Sequence, residues 1–198
     1  MKKKIIVALV GVVVIAAAAG GYFWWWKNIR LTPPNKWDIA KISKPADFAV
    51  TETAEQKIIE NKSTGLTFAV PKDWIATSTP SMFKISSPEA REKNSIFMDN
   101  GCRIMIEITE INTNLDILAE NMKNGIWGKY IIQQDRIRVD NKNALFSVVE
   151  SEKIKSYHSE IAIPYQKKIY YIAMDANIKD KSLCSQNFQD ILDSVKIQ

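Results

Sequence analysis

The 198-residue chain has one histidine, His158, and two cysteines, Cys102 and Cys184. One imidazole and two thiols 82 positions apart cannot supply an ordinary structural zinc site. A serine–histidine–aspartate system would need His158 as its base, and no Gly-x-Ser-x-Gly elbow accompanies it. The seven glycines form neither a Gly-x-Gly-x-x-Gly turn nor a phosphate-binding loop. Gly125-Ile126-Trp127-Gly128-Lys129 lacks the first glycine spacing and the Ser or Thr after lysine, so it reads as a helix end. Basic excess is also small once the leader is set aside. Lys2, Lys3 and Lys4 are three of the 27 basic residues, leaving 24 against 22 acidic ones beyond residue 26. A nucleic-acid footprint needs clustered basic charge on the folded domain, so no nucleic-acid partner is expected. No cofactor is expected either.

Charge is wholly missing from residues 5–26, and that absence sets the expected compartment. The apolar run from Ile5 to Phe23 is long enough, at about 1.5 Å per residue, to match a hydrocarbon core of about 30 Å. Trp24, Trp25 and Trp26 close it at what would be headgroup level, where an indole is partly desolvated and its N–H still finds a partner. The lysines before the run favour a cytoplasmic N-terminus. We therefore expect a single-pass membrane protein, embedded in the bilayer through residues 5–26, with its C-terminal part extracytoplasmic. The competing reading is a cleaved signal peptide, with an h-region at Ile5–Ile15 and an Ala-x-Ala site within Ala16–Ala19. Both readings export the domain. Ala17 and Gly21 have a small-xxx-small spacing that chance explains in so Ala-rich a segment.

Residues 27–54, with Pro33-Pro34 and Pro45 and no sustained periodicity, read as a tether on which Trp37 or Phe48 docks to the domain. From residue 55 the pattern becomes regular. Ile58-Ile59 and Leu66–Val70 flank a turn-rich 61–65, which predicts a hairpin. Pro71-Lys72-Asp73 interrupts the second strand before Trp74–Ala76, and Phe83–Ser86 forms another. Cys102, Ile104, Ile106 and Ile108 alternate onto one core face. Asn114 then caps a helix to about Ile126, with Leu115, Leu118, Ala119, Met122 and Ile126 as its stripe and Gly125 and Gly128 at its end. Strands at Tyr130–Val139, Ala144–Ile154, Ser156–Pro164 and Lys168–Ala176 follow with short links, so the pairing is an antiparallel meander. A last helix from about Ser182 buries Cys184, Phe188, Ile191, Leu192 and Val195. The fold class is α+β: an antiparallel sheet of about six or seven strands flanked by helices, preceded by the transmembrane helix.

Few residues invite a functional role. His158 shares a strand face with Glu160 and Ala162 and reads as half-exposed. The pairs Glu107/Glu110, Glu150/Glu152 and Asp190/Asp193 read as solvated faces, since acid–base work needs a carboxyl with a raised pKa in a cleft. Lys153, Lys155, Lys167 and Lys168 are interleaved with Tyr157, Tyr165, Tyr170 and Tyr171, a mixture suited to an anionic polymer or lipid headgroup outside the membrane, or simply to a solvated hairpin end. Cys102 and Cys184 both fall on apolar faces. If the last helix covers that side of the sheet, an oxidising exterior lets them pair; the alternative is two buried thiols acting as small apolar residues.

Gly65-Leu66-Thr67-Phe68-Ala69-Val70-Pro71-Lys72-Asp73-Trp74 resembles the opening of PsbP-like domains, a glycine, an apolar strand, a proline turn and a tryptophan. Phe188, Ile191, Leu192, Ser194 and Lys196 resemble their closing helix and Ser-x-Lys tail, and Lys168–Ile172 resembles the strand before it. The resemblance spans residues 55–198. It implies an antiparallel sheet between helices, a fold used by photosystem II extrinsic subunits, a Ran-binding import factor and bacterial envelope lipoproteins. Those proteins share binding or assembly roles and no common catalytic residues, so the resemblance assigns no site residue. Together these features predict three parts: an anchor over 1–26, a tether over 27–54 and the domain over 55–198. The expected function is binding or assembly with another envelope protein or anionic surface component, without catalysis. The alternative is an envelope hydrolase using a carboxylate in an unrecognised pocket.

Overall fold

The computed structural model describes residues 20–22, 43–79, 82–94 and 97–198. After a short 3-10 turn at Pro45–Asp47 come β1 (Phe48–Glu52), β2 (Gln56–Asn61), β3 (Leu66–Pro71), β4 (Ile75–Thr79) and β5 (Met82–Ser86). Then follow β6 (Arg91–Glu92), β7 (Met98–Asn100), β8 (Cys102–Glu110) and helix α1 (Leu115–Asn124). The meander β9 (Ile131–Val139), β10 (Lys142–Ser151), β11 (Ser156–Tyr165) and β12 (Lys168–Asn177) leads to helix α2 (Lys181–Ser194) and β13 (Lys196–Ile197). The α+β class and the antiparallel pairing are as expected, and the strands divide into more than one sheet. Seven strands run in the order β4-β5-β8-β12-β11-β10-β9, four in the order β1-β2-β3-β13, and β6 and β7 pair as a ribbon.

The extra sheet has a local cause. Pro71 ends β3, and Trp74 N–H bonds back to Pro71 O (3.1 Å), so the chain turns out of one sheet and enters the other instead of resuming the same strand. The hairpin expected at 61–65 joins β2 to β3. Residues 48–52, assigned above to the tether, form edge strand β1 against β2, and the Phe48 ring stacks on Phe83 (centroids 4.3 Å apart). The docking expected of Phe48 therefore comes with a strand, and the folded part begins earlier than residue 55. Among the described residues no helix is long and apolar enough to cross a membrane. The anchor, with Trp24, Trp25 and Trp26, lies outside those residues except for 20–22, and Trp37 lies outside them too.

The core lies between the two large sheets and α2. Cys102, Ile104, Ile106 and Ile108 of β8 are all buried, as their alternation requires. Phe188, Ile191 and Leu192 of α2 pack with them and with Leu66, Phe68 and Val70 of β3. Cys102 and Cys184 form a disulfide with Cα atoms 5.6 Å apart, closing α2 onto the start of β8. Polar ties cross the same interior. Tyr170 Oη donates to Thr64 O (2.7 Å), Ala69 N–H to Ser194 Oγ (2.9 Å), and Ser185 Oγ to Tyr157 Oη (2.9 Å). The C-terminal strand is fixed by pairing with β3 and by Lys142 Nζ donating to Ile197 O (2.8 Å).

Helix α1 lies on the opposite face of the seven-stranded sheet. Asn114 caps it, its side chain accepting from the N–H groups of Asp116 and Ile117 (3.0 Å each). Leu118, Leu115, Ala119 and Met122 cover Leu145, Ala162 and Ile169. Ile126 does not join them: the helix stops at Asn124, and Ile126 is 83% exposed.

Candidate functional site

The face of the seven-stranded sheet that bears α1 also carries a row of charges. Register sets Arg103 on β8 beside Asp175 on β12, and Asp175 beside His158 on β11. Arg103 Nη2 donates to Asp175 Oδ2 (2.6 Å), and His158 Nδ1 lies 2.7 Å from Asp175 Oδ1. The other imidazole nitrogen, Nε2, faces Glu160 at 3.8 Å. At the far end Arg103 approaches Glu92 of the ribbon (3.5 Å), and Glu92 accepts from Lys84 of β5. Three cations thus alternate with three carboxylates across four strands and the ribbon. The Arg103 side chain is only 2% exposed, so this row is an internal feature more than a surface one.

The charge states follow from the neighbours. Burial works to lower the His158 pKa, but Asp175 and Glu160 overcome it and push the imidazole up to about 10. Burial works to raise Asp175, and hydrogen bonds from His158 and Arg103 hold it below the usual carboxylate range. A general base must be neutral near the working pH and within reach of the proton it takes. His158 is instead a cation between two carboxylates. The row does the work of neutralising buried charge. Beside it, burial together with Glu160 and Glu107 pushes the Tyr171 phenol up, so Tyr171 stays protonated.

A second feature lies at one end of this face, after α1. Gly125 caps the helix in extended conformation, and a 3-10 turn at Gly128–Tyr130 leads into β9. Trp127 meets the Phe97 ring edge-on (centroids 6.4 Å) and tilts against Tyr130 (6.0 Å). Lys129 Nζ sits over the Tyr130 ring at 4.9 Å. Phe97 precedes β7, which is tied to β12 by Asn177 Nδ2 donating to Met98 O (3.2 Å), so the aromatic cluster rests on the sheet. Gly128 is required by close approach. A Cβ there would lie 1.8 Å from Lys123 O, at the last turn of α1. Ile126 (83% exposed), Trp127 (38%) and Ile132 (62%) are all exposed along the seven residues that lead from α1 into β9, and this exposed apolar segment is the ledge. Both lysines in residues 121–134, Lys123 and Lys129, are exposed, and that stretch contains no acid.

The structure divides the lysines expected to act together. Lys153 and Lys155 are in the β10–β11 turn, whereas Lys167 and Lys168 are at the β11–β12 turn, the other end of β11. A ten-residue strand is about 30 Å long, so the four share no surface. Their tyrosines are also dispersed, Tyr157 and Tyr170 being buried in the core and Tyr165 lying under Lys142 Nζ (4.6 Å). Glu150 is not solvated as expected: it accepts two bonds from Lys181 of α2 (3.2 Å each). Asp190 and Asp193 accept from Gln186 and Gln189 on the α2 surface. Sequence reasoning missed Arg103 and Asp175, 72 positions apart, because only sheet register joins them. It also missed the ledge, although Ile126-Trp127 beside Gly125 and Gly128 carried the signal of apolar residues beyond a helix end.

No protein-family model matches the sequence, and no curated protein matches it as a relative. Solved structures do match the fold. Cyanobacterial PsbP (CyanoP) from Synechocystis sp. PCC 6803 superposes with a TM-score of 0.55 at 10% identity, over 75% of this chain and 95% of that one. The fold is PsbP-like. LpqN, a Mycobacterium tuberculosis protein involved in cell envelope biogenesis, is matched at a TM-score of 0.48 and 13% identity, over 76% of this chain and 90% of that one. In this PsbP-like domain the motif that carried the resemblance has a structural role. Pro71 and Trp74 turn the chain between sheets, and Ser194 bonds α2 to β3.

Proposed function

We propose that this chain is a non-catalytic module of the cell envelope that acts by contact. Residues 5–26 hold it in the membrane with a cytoplasmic N-terminus, and the PsbP-like domain binds or assembles with another component outside. The observation that carries the contact role is the ledge of Ile126, Trp127 and Ile132. Three exposed large apolar residues fall within seven positions there, and contiguous exposed apolar surface marks interaction sites more often than single scattered residues do. The charge row argues against the alternative of a hydrolase using a carboxylate, because its buried carboxylate, Asp175, is held below the usual range by His158 and Arg103 and so is no general acid.

Alkaline carbonate washing of native membranes tests the attachment. The expected result is the full-length chain in the membrane pellet. A soluble mature form beginning near Gly20 would overturn it in favour of a cleaved signal. Photo-cross-linking in the same membranes tests the contact role: adducts, to protein or to lipid, should form through residues 124–132, and recovery of the chain without either kind of adduct there overturns it.

A further inference from the structure

We infer that the ledge is a membrane-contact surface, seated on an anionic bilayer with Ile126 and Ile132 at the acyl boundary. This deepens the reading of the ledge as a contact site and of residues 5–26 as an anchor. Three observations favour lipid as the occupant. The most exposed groups of the segment are branched aliphatics, Ile126 at 83% and Ile132 at 62%, with Trp127 and Tyr130 between them in sequence. Indole and phenol rings suit the headgroup level, where the ring is desolvated and the polar atom stays wet. Charge is complementary as well. Lys123 and Lys129 flank the ledge with no acid from 121 to 134. Register brings the β10–β11 turn to the same end of the sheet, because Val149 of β10 pairs with Ile131; there Lys155 is paired with Glu152 (3.7 Å), and Lys153 adds its charge to those of Lys123 and Lys129. Basic residues placed beside exposed apolar ones are the composition of interfacial segments.

The length of chain before the domain permits the contact. The 3-10 turn at Pro45–Asp47 packs beside β4 and β5, near Ser78 and Thr79, at the end of the sheet opposite the ledge. Sixteen residues, 27–42, separate Trp26 from Ser43. Fully extended they reach about 55 Å, which exceeds the roughly 30 Å length of a ten-residue strand. The stretch before the domain is therefore long enough not to forbid the contact. The consequence is a second attachment, switched by lipid charge.

The test uses the full chain reconstituted in phosphatidylcholine vesicles containing about a third phosphatidylglycerol and a diazirine-tailed lipid, with labelled peptides mapped by mass spectrometry. Label is expected in residues 124–132 as well as in 5–26. Label at 124–132 should fall about fivefold in an Ile126→Ser/Ile132→Ser variant and in vesicles of phosphatidylcholine alone, while label in 5–26 stays unchanged. Both isoleucines are exposed, so the variant keeps its fold; unchanged circular dichroism checks this. Label confined to 5–26 overturns the inference and leaves the anchor standing. Label at 124–132 without any in 5–26 supports the ledge and defeats the anchor. Label at 124–132 that the double variant does not reduce overturns the assignment to these side chains. In native membranes, a photoreactive residue at Trp127 that captures one discrete protein and no lipid would overturn the lipid assignment.

Discussion

His158 gains a proton's worth of stabilisation from Asp175 and Glu160, and this makes the fold's stability depend on alkaline pH. Its folded pKa of about 10 lies above the unfolded 6.5. The contribution is complete below about pH 6.5 and declines as pH rises toward 10, by about 1.4 kcal/mol per pH unit. Urea unfolding of wild type and His158→Gln at pH 7, 8 and 9 should show a gap that narrows at about that rate. A constant gap would refute the assignment. Directly, the imidazole nitrogens should report a protonated ring by NMR at pH 8. Asp175 carries the opposite dependence, since its value is lowered: its contribution is present above pH 3.8 and is lost as pH falls through the folded value. Asp175→Asn leaves Arg103 and His158 with less compensation inside the sheet. It should cost about 3 kcal/mol in chemical denaturation at pH 7, because a buried cation that loses its carboxylate keeps its desolvation penalty. Only the shared face of His158 and Glu160 was legible in the sequence; Arg103 sat in the polar register of an alternating strand and gave no sign of burial.

Among the elements, the meander was legible almost residue by residue, because long alternating strands with short polar links leave one arrangement. The turns inside it show a cost that alternation cannot reveal. Gln166 and Lys167 both adopt left-handed backbone (φ 49° and 61°) to close the two-residue β11–β12 link. A residue with a Cβ pays about 1 kcal/mol there, so Lys167→Gly should raise stability by about 0.5–1 kcal/mol in thermal or urea unfolding. Lys167 thus sits where a turn needs glycine, which separates its geometry from any contact role. The capped start of α1 was legible from Asn114 and its end from Gly125; only Ile126 was misplaced, because Gly125 ends the helix before that residue can complete the stripe. Gly128→Ala should displace the α1 end from the 3-10 turn and destabilise the domain by about 1–3 kcal/mol, with altered Trp127 fluorescence as the local signal. β1 was hidden because Phe48–Glu52 is a short edge strand, mostly exposed, whose pairing supplies the order that its own pattern does not.

For the whole molecule, Cys102–Cys184 joins the sheet and α2 across 82 residues. In the loop-entropy model such a closure is worth about 4–5 kcal/mol, so reductant should lower the unfolding midpoint sharply, and both thiols should alkylate only after reduction. The two apolar faces were visible in the sequence, but only α2 lying on β8 decides that the thiols meet. The division into two sheets was not visible, because β13 returns from residue 196 to the side of β3 at residue 67. That return has a consequence for the order in which a ribosome delivers the chain. β3 emerges more than a hundred residues before α2 and β13, its partners in the finished fold. Until they arrive, Leu66, Phe68 and Val70 have no helix over them, and one edge of β3 offers open backbone to any neighbouring strand. A nascent chain stalled short of residue 181 is therefore an aggregation hazard, with one lone thiol at Cys102 that cannot find its mate.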